Sequence, residues 1–305
     1  VPPRKPIYLA GPTAVGKSAI ALTLAERTDG EIVSADSMQV YRGLDIGSAK
    51  PTPAEQARVR HHLIDICDLN ETFDAAQFTV RAKAAIDDIQ SRDRTPIICG
   101  GTGLYFQALL AGLGDAPTSN PELRAKLEAT PLEELRAELE RADPVCFGRI
   151  DLQNPRRVIR AIEVIRLTGR PFSDQRADWS SAAADGNVLV VLRRDSEDLR
   201  NRIDERVDRM FSVGLVDETK QLLKIGLAEN QNAMQAIGYR QVVEHLEGQH
   251  SLAETIEWVK SRTRKFARRQ MTWFRNQASP RWIDLEPEDD ATNVAIRVLV
   301  GFDTK

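Results

Sequence analysis

Eight residues near the start of the chain carry the plainest chemistry. Gly11-Pro12-Thr13-Ala14-Val15-Gly16-Lys17-Ser18 matches GxxxxGK[ST] in full. Its glycines let backbone N–H groups turn inward around phosphate oxygens. Lys17 adds a full positive charge, and the start of a helix adds about half of one. The Ser18 hydroxyl is an oxygen ligand suited to Mg²⁺. The segment follows the apolar run Ile7–Ala10 and opens a helical run with Ala19, Ile20, Leu22 and Leu24, the strand–loop–helix setting that the motif requires. The implied ligand is a di- or triphosphate with Mg²⁺, and ATP is the first guess.

Other groups complicate that guess. No NKxD guanine element is present, and Cys99-Gly100-Gly101-Thr102-Gly103 offers no carboxylate where a Walker-B Asp would hold Mg²⁺. Asp36 instead closes the second strand candidate. Strand ends in a parallel sheet share one ligand-binding rim, so Asp36, Thr102 and the phosphate loop would meet there. Asp36 is placed to accept a proton, or merely to cap a turn. Thr102 is placed to touch a base or a diphosphate, or to cap a helix over Leu104–Leu110. Arg202, Arg206 and Arg209 recur at i, i+4 and i+7, a stripe able to clamp phosphate bidentately. The interleaved Asp204, Glu205 and Asp208 favour a solvated, salt-bridged face instead.

The elements that must position these groups follow from apolar spacing. Strands are expected at Ile7–Ala10, Glu31–Asp36, His62–Ile66, Pro96–Gly100 and Val188–Leu192, with a helix over Phe78–Ile89. Alternation of strand and helix with continuous apolar strands reads as α/β, a P-loop NTPase-like parallel sheet core. Loop-like stretches at 114–121 and 180–186 bracket Leu- and charge-rich helices, which suggests a helical insertion over 116–185 within a core of 1–115 and 186–305. The last third is expected to be helical. A Ser251–Glu254 capping box would open a long helix to about Gln277, and Pro280 would end it.

Composition mostly excludes. Forty-two basic against 45 acidic residues give −3, which taken alone argues against a nucleic-acid partner. Three scattered cysteines without a CxxC support neither a disulfide framework nor a zinc ribbon, and adjacent His61 and His62 make a poor metal site. Asp87-Asp88 lacks the third carboxylate of a DDxxD box. No apolar run suffices for a membrane span, and Val1–Pro6 lacks a signal h-region. A trimmed start and a reducing cytoplasmic location are expected. The average charge conceals two basic tracts. Trp258–Trp282 holds Lys260, Arg262, Arg264, Lys265, Arg268, Arg269, Arg275 and Arg281 with no acid, interleaved with aromatics. Of these aromatics, Phe266 and Trp273 fit a core-facing stripe with Ile256 and Val259. Arg156, Arg157, Arg160, Arg166 and Arg170 form the second tract, offset by Glu163. Such tracts follow RNA phosphates, with aromatics and Arg available for stacking.

The phosphate loop, the block Ser34–Pro51, Gly100–Tyr105, Asn154–Glu163 and Ala236–Gln241 together resemble the bacterial tRNA dimethylallyltransferases, also called tRNA isopentenyltransferases. The matches run in order from about Ile7 to Arg275. The Ser34–Pro51 block is highly specific, the phosphate loop alone is not, and the last block is looser around Met234-Gln235-Ala236. The resemblance implies transfer of a dimethylallyl group from dimethylallyl diphosphate to the exocyclic 6-amino group of the adenine just 3′ of the tRNA anticodon. It implies that the phosphate loop, Gly11 to Ser18, holds the donor's diphosphate with Mg²⁺ on Ser18. Asp36 would act as base, Lys17 and Arg206 would stabilise the leaving diphosphate, and Thr102 would complete the catalytic set. The tRNA contacts would come from Asp36, Ser37, Met38, Gln39, Thr102, Arg124, Gln153, Asn154, Pro155, Arg156, Arg157, Gly238, Tyr239, Arg240, Arg264 and Arg268. The insertion would close over the anticodon stem-loop, and the enzyme would act as a monomer. The alternatives are a P-loop small-molecule kinase, an adenylate isopentenyltransferase acting on free nucleotide, and a non-catalytic RNA-binding module.

Overall fold

A computed structural model describes residues 4–175, 188–277 and 279–300. Among them, six strands form one sheet: β1 (Ile7–Ala10), β2 (Gly30–Ala35), β3 (His61–His62), β4 (Thr95–Gly100), β5 (Leu189–Arg194) and β6 (Arg281–Leu285). Their order is β3-β2-β4-β1-β5-β6, and every neighbouring pair is parallel. The register decides where ligands can sit. Ala35 pairs with Gly100, Gly100 with Ala10, and Ala10 with Val191, so β2, β4 and β1 end in one row while β5 runs on to Arg194. Asp36, Gly101 and Gly11 therefore leave the sheet side by side at its carboxyl edge, the usual ligand rim of such sheets.

The inner strands are buried throughout because helices cover both faces. Helices α1 (Lys17–Thr28), α2 (Pro53–Arg58), α3 (Ala75–Ser91) and α4 (Gly103–Ala111) alternate with the first strands. In α3 the five apolar residues that set the spacing, Phe78, Ala82, Ala85, Ile86 and Ile89, are the buried ones, and an Asp74–Gln77 capping box starts the helix. Four helices follow in sequence: α5 (Pro121–Glu128), α6 (Leu132–Ala142), α7 (Pro144–Phe147) and α8 (Pro155–Thr168). Beyond β5 come α9 (Ser196–Ser212), α10 (Leu215–Leu223), α11 (Tyr239–Leu246), α12 (Leu252–Gln277) and α13 (Ala291–Leu299). On one face of the sheet, α1 and α13 share a core in which Ile20, Leu24, Val294 and Val298 pack with Leu9, Ile97 and Val190.

The chain divides into two compact units, Val1–Leu110 with Ala182–Lys305, and Ala111–Ser181. The second has its own core of Leu127, Leu135, Leu139, Val158 and Ile162, with buried Glu163 accepting from Ser119 Oγ, the Asn120 N–H and Arg160. The expected loop at 180–186 lies outside the described residues.

Three sequence expectations need correction. The third strand is two residues long, not five, because Leu63 and Asp65 adopt left-handed backbone and turn the chain away. Asp65 then hydrogen-bonds the Gln39 carbonyl instead of continuing along β2. The last third is not wholly helical: β6 extends the sheet, its Asp284 paired with Arg193 of β5 and its Trp282 beneath the same guanidinium. In α12 the buried stripe is Thr255, Val259, Ala267, Gln270 and Phe274. Phe266 and Trp273 each precede a stripe residue by one, about 100° around the helix, so Phe266 is exposed and Trp273 half-buried.

Candidate functional site

The phosphate loop is held by its carbonyls. Lys17 Nζ donates to the Pro12 carbonyl at 2.6 Å, Arg202 Nε to that of Ala14 at 3.1 Å, and Arg194 Nε to that of Val15 at 3.1 Å. Ala14 sits in left-handed backbone, a strained conformation for a residue with a Cβ. Oxygens fixed outward leave the later amides turned toward an anion. Burial lowers the Lys17 ammonium to about 8, opposed in part by the charge of Asp36.

Across the rim, Asp36 Oδ1 accepts from the N–H groups of Met38 at 2.8 Å and Gln39 at 3.3 Å. The turn reading of Asp36 is thus realised, yet it engages one oxygen, and the pair of bonds fixes the carboxylate at the pocket wall. Gln39 ties the loop in turn, accepting from Ser34 Oγ at 2.8 Å and donating to the Ala49 carbonyl at 3.2 Å. Thr102 precedes α4, and its carbonyl joins the helix through the N–H groups of Tyr105 and Phe106. A Cβ on Gly101 would collide with Gln270 of α12, and one on Gly103 with the Trp273 ring. Those two glycines let α12 dock on both sides of Thr102.

Two of the interleaved acids on α9 turn away from its arginines, and the third, Glu205, stays among them. Asp204 pairs with Arg264 at 3.0 Å and Asp208 with Lys260 at 2.8 Å, both on α12. Among the described residues, Arg202, Arg206 and Arg209 make no ion pair. The salt-bridged face exists, but it is the opposite one. The arginine stripe faces the phosphate loop, lining with Lys17, Ser18 and the carboxylate Glu205 an outer cleft of about 420 Å³. Burial lowers the Arg206 guanidinium from its ordinary value, opposed by Asp36. Lys17, Ser18 and Arg206 also line an inner pocket of about 390 Å³ with Asp36, Thr102, Met210 and Phe266. Two cavities therefore meet at a cationic pair.

Comparison with known proteins bears on this geometry. Residues 39–277 match the family model described as IPP transferase. The chain belongs to the IPP transferase family. It is 47% identical over 291 residues to tRNA dimethylallyltransferase 1 of Trichlorobacter lovleyi, covering 94% of this chain and 95% of that one. A crystal structure of the tRNA isopentenylpyrophosphate transferase of Bacillus halodurans superposes with a TM-score of 0.70 at 39% identity, covering 97% and 96% of the two chains. A eukaryotic dimethylallyltransferase acting on tRNA gives 0.74 at 27% identity, covering 99% of this chain and 76% of that one.

In this family member the expected RNA-contacting residues fall into different surroundings. Ser37, Met38 and Gln39 line the inner pocket with Asp36 and Thr102. Gln153, Pro155, Arg156 and Arg157 are exposed around the first turn of α8, with Asn154 half-buried as its N-cap residue. Arg268 is exposed on α12. Gly238 and Tyr239 lie away from the exposed surface. Both are buried, and Tyr239 is fully enclosed, donating to Glu218 at 2.6 Å. Glu218 also accepts from the Ile46 and Gly47 N–H groups, so this cluster shapes the loop after Asp36. Arg240 is exposed and pairs with Glu244. Arg264 is committed to Asp204, and Arg124 to Glu128 and Glu163. Arg160 and Arg166 of the second tract are neutralised by Glu163 and Glu138. Gln270 and Arg194 are the residues whose importance the sequence did not disclose. Glycines at 101 and 103 were the available sign of a close approach.

Proposed function

We propose that the chain transfers a dimethylallyl group from dimethylallyl diphosphate to the exocyclic 6-amino group of the adenine 3′-adjacent to the anticodon of tRNA. The observation that carries this reading is the junction of two cavities at Lys17 and Arg206. The diphosphate occupies the outer cleft, on the loop amides, Lys17, Arg202, Arg206 and Arg209. Its allyl group passes inward, where Met210 and Phe266 give apolar surface. The acceptor amine enters from the Asp36–Thr102 side.

In the reaction the allylic carbon–oxygen bond breaks, and its electrons go to the bridging oxygen of the departing diphosphate. Lys17 and Arg206 meet that charge where it develops, in surroundings already depleted of water. The amine lone pair forms the new carbon–nitrogen bond, and the proton released passes to Asp36, later to solvent. Thr102 orients the base. Among the described residues no group of three or more His, Cys, Asp or Glu could hold a metal. Ser18, exposed at the start of α1, offers one hard oxygen, so it fits Mg²⁺ shared with diphosphate oxygens. Bound there, Mg²⁺ would add charge stabilisation to the leaving group.

The anticodon stem-loop is the partner. The target base is drawn out of its stack into the inner pocket. The first turn of α8, with Arg156 and Arg157 exposed, supplies N–H groups and charge for loop phosphates. Arg268 and neighbouring cations of α12 supply a basic surface on the other unit. Among the described residues no helix is long and apolar enough to cross a membrane. We place the enzyme in the cytoplasm as a monomer. No observation favours the kinase or the free-nucleotide reading. The test is incubation with labelled dimethylallyl diphosphate, Mg²⁺ and unmodified tRNA, followed by nucleoside analysis. Label in an N6-modified adenosine is expected. ATP turnover or labelled free adenylate, with tRNA unlabelled, would overturn the reading.

A further inference from the structure

We infer that Gln270 is a positioning residue for this reaction, its side-chain amide setting the gap between the phosphate loop and the Thr102 turn. The inference rests on the transferase reading above. Gln270 lies in the buried stripe of α12, 8% exposed. Its Oε1 accepts from the Thr13 N–H at 2.9 Å, and its Nε2 donates to the Gly101 carbonyl at 2.9 Å. The two partners dictate the amide's orientation, since an N–H needs an acceptor and a carbonyl needs a donor. Glutamate keeps the acceptor and loses the donor; methionine keeps the volume and loses both.

The bridge joins two segments that the sheet alone places only approximately. Gly11 and Gly101 leave adjacent strands, and the loops beyond them have no strand pairing to hold their separation. Gln270 supplies it from a third element. A Cβ at Gly101 is excluded by this amide, so the Gly100-Gly101-Thr102 turn is shaped to receive it. The Thr13 N–H is thereby withdrawn from the anion, which leaves the amides from Ala14 onward for the diphosphate. One side of the bridge carries the leaving group and the other carries Thr102 at the acceptor. A change in their separation moves the donor carbon relative to the amine, and a shift of about 1 Å can cost on the order of a hundredfold in rate.

The experiment compares wild type with Q270E and Q270M, using dimethylallyl diphosphate and unmodified tRNA across a range of pH. A carboxylate facing the Gly101 carbonyl repels it, whereas the protonated carboxyl donates to it as the amide does. The Q270E kcat is therefore expected to be about thirtyfold below wild type near pH ~8 and to approach wild type toward pH ~6, with KM for both substrates within about twofold. Q270M is expected to lose a similar factor with no recovery at low pH. Thermal unfolding confirms that each variant is folded. A Q270E kcat equal to wild type at every pH overturns the role, as does a loss constant with pH or a change confined to KM for tRNA. Those results leave wild-type transfer intact, so they are distinguishable from failure of the transferase reading, which falls only with the wild-type assay.

Discussion

Helices α9 and α12 are both rich in cations and lie against each other, yet their charges are in opposite states. On α9 the arginines 202, 206 and 209 face the phosphate loop and make no ion pair among the described residues, while Asp204 and Asp208 on the other face are engaged by α12 and Glu205 alone shares the arginine side. On α12 that same engagement neutralises Lys260 and Arg264 and leaves Arg268 exposed. The acidic residues of one helix thus serve the other. Unpaired cations gathered around one cleft suit a small, highly charged anion. A partly neutralised, solvated row suits a polyanion followed by many weak contacts.

The sharpest way to break this comparison is to remove the groups at the cavity junction. Asp36→Ala or Lys17→Ala is expected to lower single-turnover transfer by about a thousandfold, while tRNA still binds in filter or fluorescence assays. A near-normal rate would end the assignment. Arg206→Ala should cost about a hundredfold in kcat with a higher KM for the donor, and Arg268→Ala should leave the donor KM unchanged. If both altered the donor KM alike, the two helices would not differ in the way described.

The next test separates Arg264 from Arg268. Arg268→Ala is expected to weaken tRNA binding and reduce the slope of log affinity against log salt by about one. Arg264→Ala leaves Asp204 half-buried without its partner, so it should lower the melting temperature by a few degrees while changing the salt slope little. A third cluster marks the limit of neutralisation. Glu31, almost fully buried, binds Arg92, Arg94 and His62, and the Arg92 hydrogen bond chiefly holds its carboxyl near 2. A carboxylate depressed in the folded state stabilises fully above its ordinary value of 4.5, and this contribution fades as pH falls toward about 2. Glu31→Gln should therefore flatten the fall in melting temperature over that acid window; an unchanged slope would remove Glu31 from the account.

The strands that carry the site were legible in the sequence because their apolar runs are continuous, and the motif beside them has a fixed spacing. Asp36 and Thr102 could be placed on one rim for the same reason. The extent of β3 and the edge strand β6 were not legible: one is cut off by left-handed residues, and the other is a five-residue segment, Arg281–Leu285, with only two buried positions. Pairing of charges was the larger loss. Spacing along α9 showed arginines and acids interleaved, but which face met α12 depends on packing between helices far apart in the chain. Gln270 was invisible for that reason too, since a polar residue on a basic helix acquires meaning only from the glycines it meets.

The strand order has a consequence for synthesis. β1 bears the phosphate loop near the beginning of the chain, yet its neighbour β5 begins only at Leu189. The helix after the loop packs on α13, which begins at Ala291. The carbonyl ties from Arg194 and Arg202 and the bridge from Gln270 also come late. While the ribosome is still translating the helical unit, one edge of β1 is bare and the loop lacks those three supports. The most motif-like segment of the protein is thus among the last to become functional, and a chain truncated before Gln270 should retain the signature but bind diphosphate poorly.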